Sequence, residues 1–254
     1  LNIGERHRRP QSEGQWNQNE VDISTGHIEI NTEKGTVAWD LPTEVVRENP
    51  EGEALADKIL NLMTDAWSAD VEDLGANGDE SVADNFESQN DGWITLAQGE
   101  ATTIDAAGNI LDNDMVVSTI AGLDSKYRSR MNPALIVSQD QLLSYHYTLT
   151  DRDTPLGDNV LMGEADVNPF NFPIIGSGLW PDGYAMFTDP QNLIYALYRE
   201  LEIDVLTESD KVSERDLYAR YFMRGDDDFQ IENTDAAVLV ENMGDPLANI
   251  NFTA

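Results

Sequence analysis

Hydrophobic positions recur along this chain in two rhythms, and the switches between them mark out its elements. Over residues 51–74, Leu55, Ile59, Leu62 and Ala66 fall at i, i+4, i+7 and i+11, which predicts an amphipathic helix. Glu51 and Glu53 suit its first turn, and Gly75 offers a stop. The same spacing in Val116, Ile120, Leu123 and Tyr127 predicts a second helix, with Asp112 or Asp114 as its cap. Past Asn192 the rhythm becomes two. Leu193, Tyr195, Leu197, Leu201, Ile203 and Val205 share one face, and Ile194, Ala196, Tyr198, Glu200, Glu202 and Asp204 the other. That is a long strand, apolar on both faces at first and acidic on one face later. Its first half is expected to be covered on both sides.

Shorter signals fill the gaps. WITLA (93–97) and ALIV (134–137) read as strands, and Ser138 with Gln141 as a capping box. Asn77-Gly78 and Ala107-Gly108-Asn109 read as turns, and residues 150–183 as irregular. After Asp216, two or three further strands are expected, broken by a turn at Gly225-Asp226-Asp227-Asp228. Residues 21–47 read as a hairpin carrying Ile28, Ile30, Val37, Trp39 and Leu41, with Asn31 to Gly35 as its turn. A lone hairpin is marginal in water, so something outside it should cover it. Strands and helices in this mixed order, without an internal repeat, predict an α+β fold.

Charge changes the picture next. The 254 residues carry a formal charge of −33. Five Trp, eight Tyr and seven Phe argue for a folded chain rather than a disordered acidic one. The acid is spread over the whole length, and the lysines are Lys34, Lys58, Lys126 and Lys211 alone. Such a surface repels itself in dilute buffer, and concentrated salt screens it. The composition therefore points to a protein working in high salt, as in halophilic archaea and their viruses. Charge selected for one basic partner would sit on one segment. The single basic cluster, Arg6, His7, Arg8 and Arg9, lies in a terminal segment poor in large apolar residues. That segment is either a disordered terminus or an arm laid on an acidic neighbour or on nucleic acid. The start at Leu1 fits a processed product or a chosen boundary.

Candidate chemistry is sparse. Cysteine is absent, which excludes disulfides and thiolate sites. No apolar run is long enough for a membrane span. His7, His27 and His146 are scattered. Gly176-Ser177-Gly178 is not a nucleophile elbow, and no P-loop or dinucleotide fingerprint occurs. Acid pairs such as Asp112/Asp114, Asp151/Asp153 and Asp226/Asp228 are what 48 acidic residues produce by chance. Arg224-Gly225-Asp226 and the sequon at Asn251 are three-letter matches. No catalytic, metal-binding or cofactor-binding constellation is expected.

Three segments carry a resemblance: MNPALIVSQDQLLSYHYTLTDRDTPLG, NFPIIGSGLWPDGYAMFTDPQNLIYALYRELEIDV and RDLYARYFMRGDDDFQIENTDAAVLVEN. Their order, behind an arm, a hairpin and a long helix, resembles the major capsid protein of tailed double-stranded DNA viruses (the Hong Kong 97-like fold). The resemblance implies an N-terminal arm over 1–20, an extended loop over 21–50 and a peripheral domain over 51–105 with a spine helix at 51–74. It implies an axial domain over 106–190, peripheral strands over 191–234 and a return to the axial domain over 235–254. It further implies a subunit of hexamers and pentamers in an icosahedral shell around DNA, in a virion assembled in the host cytoplasm. A decoration or turret protein, a portal and a maturation protease would be its other partners. Arg6, Arg8 and Arg9 would meet the acid of Glu200, Glu202 and Asp204 on a neighbour, with Lys34 and Trp39 also at subunit contacts. Some members of that family join a loop lysine to a neighbour's asparagine; a lysine at a hairpin tip, as Lys34 would be, is ordinarily just solvated. Two other readings stay open: the shell of an encapsulin-like compartment, and a halophilic α+β enzyme or binding protein.

Overall fold

The computed structural model describes residues 27–50, 54–83, 86–150 and 168–248. Strand β1 (Glu33–Pro42) leads through the short helix α1 (Thr43–Glu48) to the long helix α2 (Ala54–Asn77). Then come α3 (Trp93–Ala97), β2 (Thr102–Asp105), α4 (Asn113–Gly122) and α5 (Ser125–Arg128). β3 (Ala134–Ser138) and α6 (Gln139–Thr150) follow, then β4 (Ile174–Ser177) and β5 (Ala185–Thr188). Last are β6 (Leu193–Leu206), α7 (Asp210–Glu214), β7 (Leu217–Ile231) and β8 (Val238–Glu241). The fold is α+β, as the element order predicts.

The strands form two sheets. One has three strands, ordered β1-β7-β6 and wholly antiparallel; the other has five, ordered β2-β8-β5-β3-β4. In the five-stranded sheet β2 runs parallel to β8 and β3 parallel to β4, while β5 is antiparallel to both its neighbours. Its central strands are apolar on both faces because both faces are covered. Leu135, Val137, Phe187, Val238 and Val240 pack with Val116, Ile120, Tyr127 and Tyr145 of the helices on one side. The alternating residues Ile136, Met186 and Leu239 pack with Ala76, Ile94, Ala97 and Trp180 on the other.

Caps and turns here follow the local chemistry. Asp112 accepts from Met115 N at 2.7 Å and starts α4. Ala107 and Gly108 take positive φ (52° and 80°) at the predicted turn. Ser138 Oγ accepts from Gln141 N at 3.1 Å, but Gln141 does not close a capping box. Its buried amide accepts from Leu111 N and donates to the carbonyls of Asp182 and Gly244, tying three distant segments together.

Several expectations fail, each for a tertiary reason. WITLA is helix α3: its buried residues Ile94 and Ala97 fall three apart, a helical stripe the short apolar run hides. Gly75 does not stop α2, which runs on to Asn77; Gly75 is buried because Phe229 and Trp93 press on it. Leu62 is 66% exposed, and the covered stripe of α2 runs instead through Ala56, Ile59, Leu60, Trp67, Val71 and Leu74. The run Gly225 to Asp228 is no turn but the interior of β7. Asn31 to Gly35 likewise do not turn: β1 begins at Glu33 and pairs with β7 rather than with a hairpin mate. Ile28 and Ile30 lie in irregular chain and are exposed. Residues 150–183 contain β4, which joins the five-stranded sheet.

Candidate assembly surface

The three-stranded sheet turns one face to α2. Tyr221, Met223 and Gly225 of β7 alternate onto that face, in register with Trp39, Val37 and Gly35 of β1. Trp39 stacks on Tyr221 with ring centres 4.9 Å apart and planes 3° from parallel. Leu41, Val46, Ala219 and Tyr221 bury a small core beside it, against Ala56, Ile59 and Leu60 of α2. Trp67 sits over the Gly35–Gly225 pair, its ring 3.0 Å from where a Cβ on either glycine would stand. Clefts open on both sides of Trp67, of about 150 and 300 Å³.

The other face alternates charges. Asp40 holds Arg215 and Arg220, each at 3.3 Å. Arg199 lies 3.7 Å from Asp226 and 3.9 Å from Glu202, and Arg224 pairs with Asp204. The acidic half of β6 is therefore met by arginines of the same chain. Glu202 and Asp204 thus already have arginine partners within their own chain. Glu200 is exposed and lines the larger cleft beside Trp67. Lys34 is exposed within β1, opposite Asp226, and at no tip. Arg6, Arg8 and Arg9 lie outside the described residues.

The first half of β6 is apolar on both faces, but neither face is fully covered. Tyr195, Leu197 and Tyr198 are 42, 52 and 79% exposed, and Val205 and Leu206 near the far end are exposed too. β6 is also an edge strand, with register shifts between Leu197 and Glu202. The expected second covering layer is absent among the described residues. An exposed apolar edge of this length invites pairing with another chain.

Sequence reasoning missed one further cluster. Asp227 is only 7% exposed, with the Tyr195 hydroxyl and the Asn90 amide each 3.4 Å from its carboxylate. Burial pushes the Asp227 carboxyl above its ordinary value, and burial beside Asp227 pushes the Tyr195 hydroxyl up to about 12. Glu80 is raised as well, by burial first and then by Asp91, Glu33 and Asp228. Asp228 is buried and accepts from Asn31 N at 2.7 Å. Three successive aspartates read as a turn; the signal that they are strand is the alternation on either side of them.

Among the described residues no group of carboxylates and histidines could hold a metal ion, and no helix is long and apolar enough to cross a membrane.

No protein-family model matches this chain. It is 26% identical over 195 residues to YqbE of Bacillus subtilis (strain 168), a protein assigned to a prophage capsid. The match takes 72% of this chain and spans 62% of YqbE, so less than two thirds of that relative is represented. Among solved structures, the satellite phage P4 procapsid aligns over 96% of this chain and 81% of its own, at 14% identity and TM-score 0.69. Gordonia phage Cozz aligns over 94 and 79%, at 17% identity and TM-score 0.65. The SrpI encapsulin of Synechococcus elongatus PCC 7942 aligns over 88 and 78%, at 12% identity and TM-score 0.56. The chain has the Hong Kong 97-like fold of phage capsid proteins. These relatives and neighbours are shell proteins, not enzymes.

Proposed function

We propose that this chain is the structural coat subunit of a tailed double-stranded DNA virus. It has no catalytic role. It assembles as hexamers and pentamers into an icosahedral shell, with DNA on the inner face and the virion as its destination. The observation that carries the reading is the alignment of nearly the whole chain, 96%, with a phage procapsid subunit. The open apolar edge of β6 supports it, since a subunit needs surfaces that only neighbours cover. The charge of −33 supports a shell working in concentrated salt and a haloarchaeal host. In this reading residues 1–20 form an arm and 21–50 an extended loop, and 51–105 with 191–234 form the peripheral domain. Residues 106–190 and 235–254 form the axial domain. Arg6, Arg8, Arg9, Lys34, Trp39, Glu200, Glu202 and Asp204 lie at or behind subunit contacts. A decoration or turret protein, a portal and a maturation protease complete the partners.

One observation favours a second reading. The fold also aligns with an encapsulin, so the same shell could enclose protein instead of DNA. Particle size and content at about 3 M salt, where charges are screened to a few Å, separate the cases. Shells tens of nanometres across holding DNA support the coat. Shells holding protein support the compartment. A 28.2 kDa monomer released intact from native material as its only form removes both.

A further inference from the structure

We propose that Arg128 and Arg130 bind carboxylates of a second copy of this chain, those at the opposite end of the same five-stranded sheet. One end of that sheet is acidic and the other carries its cations, so copies join head to tail. The inference rests on the reading of the chain as a self-assembling subunit and names the groups that hold neighbours together.

Residues 93–150, 168–192 and 232–248 build this sheet and the helices on it. Their lysines and arginines are Lys126, Arg128 and Arg130. All three sit on α5 or just after it. α5 lies where β3 begins and β5 ends: Asn132 N donates to Asp189 at 2.9 Å, and Asn233 donates to the Tyr127 hydroxyl at 3.3 Å. The other end, where β3 stops and β5 starts, gathers acid without a cation among these residues. Gln141 joins Leu111, Asp182 and Gly244 there, which brings Asp112, Asp140, Asp182 and Asp245 to one end. The Tyr145 hydroxyl donates to Asn113 Oδ1 at 3.0 Å and holds the start of α4, with Asp114, against α6. Asp112, Asp114, Asp182 and Asp245 are exposed, and Asp140 is half-buried. α4 leads from this acidic end toward α5, and its ten residues span about 15 Å.

The two arginines are also free to act. Arg199, Arg215, Arg220 and Arg224 of the other sheet all pair with carboxylates of their own chain. Arg128 and Arg130 make no ion pair among the described residues. Arg130 is exposed; Arg128 is half-buried, its Nε without a partner among those residues. Arg128 acts on Asp124 only at longer range. Lys126 is engaged locally, 3.9 Å from Asp124, in a cleft it shares with Glu100 and Asp235. A guanidinium presents paired donors that match a carboxylate, at short range where salt screens least. Phosphate is the other anion of matching shape. Yet a few phosphate contacts lose most of their affinity in molar salt, and a charge of −33 repels a polyanion. The acidic end of a neighbour is the anion that assembly itself supplies. Such a contact joins unlike surfaces, and its repetition closes a ring or runs on as a filament.

Assembly of the full chain in about 3 M salt tests this, read by light scattering with circular dichroism as the folding control. Arg128→Glu with Arg130→Glu sets acid against acid, so particle yield should fall more than about tenfold. Asp114→Arg with Asp140→Arg should do the same from the other end. All four changes in one chain should restore particles. Wild-type particles that survive the arginine reversal overturn the contact and leave the coat reading standing, as does a loss that the four changes together fail to restore. A wild-type chain that forms no particle overturns both. Reversed chains that form shells but no longer retain DNA assign the arginines to phosphate and overturn the contact with a copy. If the variants do not fold, carbodiimide coupling of wild-type particles decides. Peptides joining Lys126, two residues from Arg128, to Asp114 or Asp140 support the contact, because α4 holds those groups too far apart within one chain for a link of zero length. Their absence overturns it.

Discussion

Gly35 and Gly225 stand opposite each other across the β1–β7 pair, and one indole, that of Trp67, rests on both. Neither glycine takes a positive φ, so what this position requires is the missing side chain rather than an unusual backbone. A Cβ on either would meet the Trp67 ring at 3.0 Å, closer than carbon atoms pack without strain. Gly225→Val should destabilise the chain by about 1–3 kcal/mol through overpacking. Combined with Trp67→Leu it should cost less than the sum of the two single changes. Denaturant unfolding of the four species, at one fixed high salt concentration, measures the coupling.

Gln141 should be among the most sensitive polar residues. Its buried side chain serves Leu111 N and the carbonyls of Asp182 and Gly244. Gln141→Leu keeps the bulk and abandons all three partners. Each buried group left unmade costs about 1–3 kcal/mol, so a loss of at least about 3 kcal/mol is expected in equilibrium unfolding. Gln141→Ala should be no better, because it adds a cavity.

The exposed stretch of β6 should separate assembly from folding. Tyr198→Asp and Leu197→Asp alter side chains that touch little of their own chain. Such surface changes usually move stability by within about 0.5 kcal/mol. Particle formation, read by light scattering, should be lost while circular dichroism and the unfolding midpoint stay near wild type. Normal particles from both variants would show that β6 is not a contact.

The charged face of the same sheet should matter far less. Arg224 and Asp204 are both partly exposed, and pairs of that kind contribute about 0.2–1 kcal/mol, screened by salt. Asp204→Asn should therefore lower stability slightly in dilute buffer and not measurably in molar salt.

His146 predicts a pH effect opposite in sign to that of Asp227. Partial burial holds its imidazole below the ordinary 6.5, so the unfolded chain binds that proton more readily. Its contribution is complete above 6.5 and is lost as pH falls toward the lowered value. His146→Gln should flatten this part of the stability profile in thermal melts.

What the sequence shows and what it hides divide along a physical line. α2, α4 and β6 are legible as elements because their periodicity runs long, though Leu62 of α2 lies off its covered stripe, and β3 is legible by its apolar composition. The run Gly225 to Asp228 is not, since glycine and aspartate are turn residues wherever nothing overrides them. Here Trp67 needs the glycine bare, and Arg199, Asn90 and Asn31 each engage one of the aspartates. Trp93 to Ala97 are too few to choose between periods. The acid of β6 is visible, but not that Arg199 on β6 itself and Arg224 on the neighbouring β7 answer it. The Asp227–Asn90 contact joins residues 137 apart, a distance over which local pattern says nothing.

The place of β8 has a consequence for how the chain comes together. Among the described residues it is the last strand in sequence order, yet it lies second in the five-stranded sheet, between β2 and β5. Its core residues Val238, Leu239 and Val240 are buried on both faces. During synthesis β2 emerges more than a hundred residues before β8, the one strand it pairs with among the described residues. Contacts of that span form late and set the pace of folding. A chain cut short before residue 238 leaves β2 unpaired and β5 with one open edge. Truncated products therefore cannot present the same surface as complete ones, and the fold itself sorts finished chains from unfinished ones.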